Sequence, residues 1–345
     1  MILFKNGAEM AGWARQQRAA GRQTGFIPTM GALHPGHLSL VDSSKKALPV
    51  TVCSIFVNPT QFNDPKDFRK YPITIENDIY LLERAGVDAL FLPEVEEIYP
   101  GGVQNLEKYA LGRLETLWEG KFRPGHFQGV CQVVKRLLEF VQPDHLFMGQ
   151  KDYQQCLVIR RLLDLTGSAA QMHVRPIMRE TDGLAMSSRN QRLSAEERKK
   201  APAIYKALSL LAAHWQQGAS RKSPRQETAL DQGTVTTQGT ALDRETALDE
   251  ARNILVEHGL RPDYIALADA DNLEPLEEAG EGRSNVVEGR LEEGSNGTAG
   301  SNEAAEGRLG GGTDDRKSAG RNVVALAAAY LGEVRLIDNL LLKDH

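Results

Sequence analysis

Cysteine is scarce: Cys53, Cys131 and Cys156 stand isolated in apolar or helical contexts of a 345-residue chain. They show neither a zinc-ligand spacing nor a disulfide framework, so a reducing cytoplasm is the compartment expected. No run of about 18 apolar residues occurs, which excludes a membrane-spanning helix. The stretch MILFKNGAEMAGWARQQRAAGRQ has no charged-then-apolar leader pattern, and no export signal is expected. A basic excess is also missing. Lys+Arg 41 against Asp+Glu 46 gives a net charge of −5, the wrong sign for a nucleic-acid binder. Aromatic residues run out as well: after Trp215 only Tyr264 and Tyr330 remain, which places the main core in residues 1–215.

Two stretches depart from globular composition. Residues 219–249 repeat ETALD, GTALD and ETALD, and residues 280–320 are rich in glycine with recurrent EGR and GSN units. Such composition buries too little apolar surface to offset chain entropy, so both are expected to be disordered insertions. The tail of the first, ALDRETALDEARNILVEHG, favours helix.

Elsewhere strands and helices alternate. TGFIPT, VTVCSIFV, DALFLP, DHLFMG and HVRPI read as strands. Helices are expected after Pro35, from Ile75 to Ala85, over FQGVCQVVKRLLEFV and over YQQCLVIRRLLDLT. The fold class expected is α/β: a Rossmann-like parallel sheet over residues 1–177, then a smaller α+β domain over 178–345 with strands DYIALADA and NVVALAAAYL. Ligands of such sheets sit beyond the carboxyl ends of the strands. The informative loops are therefore those after Thr29, Val57, Met148 and Ile177.

The first of these carries FIPTMGALHPGH. Gly31 permits a tight turn, Pro35 suits a first helical turn, and Gly36 has no side chain to block a ligand. His34 and His37 then share a face near a helix N-terminus, where anions are favoured. Read alone, the pair equally describes surface or capping histidines, and without a third ligand it is not a zinc site.

Longer words narrow the choice. PTMGALHPGH, SIFVNPTQF, RPGHFQGV, GQKDYQQ, DGLAMSSRN and LGEVRLIDN, in this order, resemble the pantothenate synthetase (pantoate–β-alanine ligase) family. Its HxGH signature is shared across the nucleotidylyltransferase superfamily. The resemblance implies an ATP-dependent ligase of pantothenate and coenzyme A biosynthesis. Pantoate attacks the α-phosphate of ATP, and β-alanine then takes the acyl group from pantoyl adenylate, releasing AMP.

The resemblance assigns Met30, Gly31, Ala32, Leu33, His34, Pro35, Gly36 and His37 to ATP, with His34, His37 and Lys151 as catalytic groups. Gly149, Gln150, Lys151 and Asp152 join the ATP site, and Gln150 stands where the family usually has Glu. The AMSSRN stretch resembles the mobile KMSKS-like loop, giving ATP contacts to Met178, Met186, Ser187, Ser188 and Arg189. Gln61 and Gln155 match positions that hold pantoate, and Asn58 is expected to help with pantoate or β-alanine. Arg123 and His126 keep an open role. NDPKDFRKYP is a candidate gate, being long, polar and punctuated by prolines. Mg2+ is expected to travel with ATP rather than in a side-chain cage. The partners implied are these small molecules and a second copy in a homodimer, with no nucleic acid and no membrane.

Competing readings fit less well. A class I tRNA synthetase would need a basic tRNA-binding domain. A cytidylyltransferase would not need paired Gln61 and Gln155, and a decayed regulator would not keep every reactive position filled.

Overall fold

The computed structural model describes residues 1–221, 238–276 and 322–342. Six strands form a parallel sheet: β1 (Ile2–Phe4), β2 (Thr24–Thr29), β3 (Val50–Ile55), β4 (Ala89–Phe91), β5 (His145–Gly149) and β6 (Gln171–Arg175). Their order is β1-β4-β3-β2-β5-β6. The interleaved helices are α1 (Gly7–Ala19), α2 (Pro35–Ala47), α3 (Pro65–Arg69), α4 (Ile75–Arg84), α5 (Val95–Ile98), α6 (Trp118–Phe122), α7 (His126–Val141) and α8 (Tyr153–Thr166).

Both faces of the sheet are covered, so its central strands are apolar throughout instead of alternating. Ile27, Cys53, Leu90 and Phe147 pack beneath α2 and α4. Their neighbours Phe26, Val52, Phe91 and Leu146 point the other way, beneath α1, α7 and α8. The strand order reverses between β2 and β5, and at such a reversal the flanking helices diverge and leave a crevice. Thr29 and Gly149 end those two strands, so the topology itself selects the HPGH and GQKD loops as its walls.

Beyond β6 come α9 (Ala195–Lys200), α10 (Ala203–Arg221), α11 (Gln238–Glu257) and an antiparallel sheet of β7 (Arg261–Asp269), β8 (Val323–Leu331) and β9 (Val334–Leu342). This sheet has a second core of its own. It is made of small and aliphatic residues, Val323, Ala325, Ala327 and Ala329 against Ala207, Leu208 and Ala251. The aromatic census missed it because helices pack closely on alanine without needing rings.

The five anticipated parallel strands form, with ends shifted by a residue or two. β1 and β9 were not anticipated. β1 is a three-residue edge strand with Ile2 and Leu3 exposed, too short for a periodic signal. Of the first expected insertion, residues 219–221 belong to α10 and 238–249 to α11, so the helix expected over ALDRETALDEARNILVEHG forms, with Ala247 buried against α10, and disorder does not extend to these ends. Residues 222–237, and the whole of 280–320, lie outside the described residues.

Candidate active site

The glycine and histidines of the first loop depend on one another. Gly31 has φ +78, the left-handed region, and Ala32 follows at φ +49. That turn aims the Ala32 and Leu33 amides at Asp78 on α4, whose carboxylate accepts both at 2.8 Å. Asp78 is fully buried, so these two amides are committed to the fold. His34 caps α2, its Nδ1 accepting the Gly36 N–H at 3.2 Å, while His37 Nδ1 accepts the His34 N–H at 3.4 Å. A Cβ on Gly36 would lie 2.9 Å from the His34 ring, so only glycine leaves room for this cap. The capping reading of HPGH therefore holds, and both rings also line the cavity.

The consequence is electrostatic. With Nδ1 accepting in each ring, the proton of each neutral imidazole sits on Nε2. Burial lowers His34 from 6.5 to about 4, with Lys151 adding to it. Burial, then His34 and Lys151, lower His37 to about 3. The rings lie 4.0 Å apart. At neutral pH both are uncharged N–H donors.

A second wall comes from the loop after β3. Asn58 is fully buried; its amide donates to Gln61 Oε1 at 3.2 Å and to the Gly129 carbonyl at 3.0 Å, and its oxygen accepts from Tyr99 at 2.8 Å. It shapes the Gln61 loop, and its side chain is taken up by these protein partners instead of lining the cavity. Gly129 on α7 is required there, since a Cβ would meet the Thr60 carbonyl at 2.3 Å. Gln61 turns its amide toward Met30 Sδ at 2.9 Å. His126 bridges the Gln61 carbonyl, at 2.8 Å from Nδ1, to Arg123, at 3.0 Å from Nε2. Burial and then Arg123 lower His126 to about 3.

The third wall follows β5. Gly149, Lys151, Asp152 and Gln155 line the same cavity as Met30, His34, Gly36, His37 and Gln61. Gln150 does not: its amide bonds Asn339 Oδ1 at 3.1 Å. Asn339 on β9 also donates to the Gln150 and Lys151 carbonyls at 3.0 and 2.9 Å, clamping the lysine's backbone. Its neighbour Asp338 receives both Arg179 nitrogens, at 2.6 and 2.9 Å. Arg179, Asp338 and Asn339 were missed as site supports; nothing local marks them, although Asp338 and Asn339 sit in the quoted word LGEVRLIDN.

Met178, Met186, Ser187, Ser188 and Arg189 close the cavity. Met186 N–H donates to the Met178 carbonyl at 2.9 Å, and the Ser188 hydroxyl donates to the Ala32 carbonyl at 3.0 Å, docking this loop on the first. Asp67 of α3 receives Arg189 at 2.8 Å and Arg192 at 2.6 Å. Burial opposes ionisation of Asp67, but these two guanidinium groups hold its carboxyl below the usual range. The candidate gate thus carries a carboxylate that holds Arg189, one of the residues expected at ATP. Of the residues expected at ATP, Gly31, Ala32, Leu33, Pro35 and Gln150 do not line the cavity.

Three histidines kept neutral by their surroundings, His126 buried and His34 and His37 half-buried, make a stability prediction. Their folded values lie below 6.5, so the unfolded chain binds protons first as pH falls. The stabilising contribution is complete above pH 6.5 and is lost as pH drops toward 4 and 3. Unfolding at pH 5 should take up protons from His34, His37 and His126, measured by calorimetry in buffers of different ionisation enthalpy. A melting temperature independent of pH between 7 and 5 contradicts this.

A crevice at the sheet's reversal, neutral histidines at a helix N-terminus, and lysine and arginine on its rim define a parallel α/β enzyme built for a phosphorylated ligand. The model of the pantoate-beta-alanine ligase family matches residues 2–292. A pantothenate synthetase of Thermus thermophilus is 43% identical over 269 residues, covering 78% of this chain and 89% of the relative. One of Bacteroides thetaiotaomicron is 48% identical over 201 residues, covering 57% of this chain and 71% of the relative. The crystal structure of the Thermus thermophilus enzyme superposes with a TM-score of 0.74 at 36% identity, over 99% of this chain and 100% of that one. A Francisella tularensis pantoate-beta-alanine ligase complexed with beta-gamma ATP and beta-alanine has a TM-score of 0.66 at 29% identity, over 99% of this chain and 97% of that one. The chain belongs to the pantoate–β-alanine ligase family, ligases that form an amide bond.

Proposed function

We propose that the cavity runs both steps of pantothenate formation from this chain's own side chains, in a catalytic domain of residues 1–177 capped by 178–345. The observation that carries it is the neutral His34–His37 pair facing Lys151 and the glutamines Gln61 and Gln155 across one cavity. Pantoate is held by the two amides, which donate and accept without competing as nucleophiles. Its carboxylate oxygen attacks the α-phosphorus, the bond to the β-phosphate oxygen breaks, and pyrophosphate leaves. His34 and His37 donate Nε2–H to phosphate oxygens as charge grows there, and Lys151 supplies a positive charge. Asp152 receives ribose hydroxyls. Arg189 leaves Asp67 for the triphosphate when the gate loop rearranges.

Mg2+ enters with ATP, neutralising phosphate charge. Such an ion keeps several waters and would be held by the phosphates it accompanies. The working form is a cytoplasmic homodimer. Among the described residues no helix is long and apolar enough to cross a membrane.

Purified protein should form AMP from ATP only when pantoate and β-alanine are both present; AMP formation indifferent to β-alanine overturns the reading. Gln61→Ala and Gln155→Ala should each weaken pantoate binding by about 1–3 kcal/mol, leaving substrate polar groups unpaired, with ATP affinity little changed. Titration calorimetry checks this, and unchanged pantoate affinity in both variants removes the pocket.

A further inference from the structure

Lys151 lines the cavity with His34 and His37, and its ammonium makes no ion pair among the described residues. A lysine is a point charge on a flexible stem. With no partner at the tip, the place of that charge is set by where the main chain is held. That main chain is a single 3-10 turn, Gln150–Asp152, between β5 and α8. Hydrogen-bond geometry inside such a turn is poor. Packing does not hold its head either: beyond the chain neighbours, nothing lies within 4 Å of where a Gly149 Cβ would be. The anchor comes from the far end of the chain.

Asn339 lies on β9 and is 1% exposed. Its amide nitrogen donates to the Gln150 carbonyl at 3.0 Å and to the Lys151 carbonyl at 2.9 Å, and its oxygen accepts the Gln150 amide at 3.1 Å. Both N–H donors are thereby used on backbone, so the group acts on the turn and not on a ligand. Asn339 is itself fixed. Its N–H donates to Asp338 Oδ1 at 2.7 Å, and the same carboxylate, its side chain fully buried, receives Arg179 at 2.6 and 2.9 Å. Arg179 opens the stretch that closes the cavity: it bridges to Ala185, and the Met186 N–H donates to the Met178 carbonyl. Two adjacent residues of β9 thus hold two walls in one frame, the Lys151 turn through Asn339 and the Met178–Arg189 stretch through Asp338.

We propose that Asn339 is a positioning residue of adenylate formation, holding the Lys151 turn so that the ammonium meets the phosphate as charge grows there; this rests on the two-step reading above. Phosphoryl transfer is catalysed almost entirely by placement of charges and donors, and a displacement of about 1 Å costs about 100-fold in rate. A turn that loses two carbonyl bonds, with no packing at its head, has that freedom. The C-terminal sheet is then part of the adenylating machinery and not only a cover for it.

The test uses the full chain with Asn339→Leu, which keeps the volume and removes the donors, and with Asn339→Ala. Single-turnover release of pyrophosphate from ATP and pantoate reads the first step. Its rate constant should fall about 10- to 100-fold, with KM for ATP within about 3-fold of the parent, since the charge matters most in the transition state. Each replacement is then repeated in a Lys151→Ala background. There it should change the remaining rate by less than about 2-fold, because the group through which Asn339 acts is already gone. A loss of the same factor in both backgrounds overturns the proposal. So does an unchanged rate in folded Asn339→Leu, or a loss confined to KM for ATP. Disappearance of the cooperative melting transition in both single variants overturns it too, making Asn339 a determinant of the fold. Lys151→Ala at the parent rate removes the lysine from the chemistry, and the proposal with it. A parent chain that releases no pyrophosphate with pantoate would instead overturn the two-step reading.

Discussion

Replacing His37 by alanine is expected to slow pantoyl-adenylate formation by about two to three orders of magnitude, the usual cost of removing a preorganised donor to developing charge. The structure gives this residue the right chemical form for that task. Its Nδ1 is occupied by the His34 amide, and burial keeps the ring neutral down to about pH 3. A donor that is already uncharged and oriented needs no reorganisation as negative charge grows on the phosphate. The fold should survive, because His37 caps a backbone amide only at 3.4 Å and Asp78 holds the loop independently. Pyrophosphate release and the melting temperature should be measured together on the same protein. Release near the parent rate in a folded variant sinks the assignment.

Glu119→Ala should produce the largest loss of stability. Glu119 is 8% exposed and joins α6 to the C-terminal sheet through Arg335 and Tyr264. Burial alone would raise its carboxyl, but Arg335 and Arg123 hold it down at about 2. Removing it leaves Arg335 and Arg123 buried with only Asp263 nearby, and breaking a buried pair from one side costs about 3–5 kcal/mol. Urea unfolding should show this as a lower midpoint at unchanged slope. A change below about 1 kcal/mol would mean that water reaches the network, against the burial seen here. Acid should expose the same weakness: a carboxyl depressed in the fold is stabilising above its unfolded value and loses that contribution as pH falls toward 2.

Much of the molecule was legible without coordinates, and the reason is locality. TGFIPT and VTVCSI announce buried strands because both faces of a covered sheet demand apolar residues. HPGH announces a helix start because a cap, a proline and a glycine act within one turn. The words of the family carried Gln61, Lys151, Gln155 and Arg189 to one cavity, where the structure also brings them.

What the chain could not announce depends on partners far away along it. Asn58 looks like any polar loop residue until Tyr99 and the Gly129 carbonyl close over it. Gln150 resembles a ligand-facing neighbour of Lys151 until Asn339, 189 residues on, takes its side chain. The Ala32 and Leu33 amides belong to the HPGH loop by position and to Asp78 by distance. The protonation of His34 and His37 is the plainest case. Their identity and spacing are local, but their neutrality comes from burial and from Lys151, which β5 delivers across the strand reversal. Sequence by itself determined which residues stand at the strand ends. Only the tertiary structure decided which polar groups remain free and in what charge state, because desolvation and hydrogen-bond partners are set by packing.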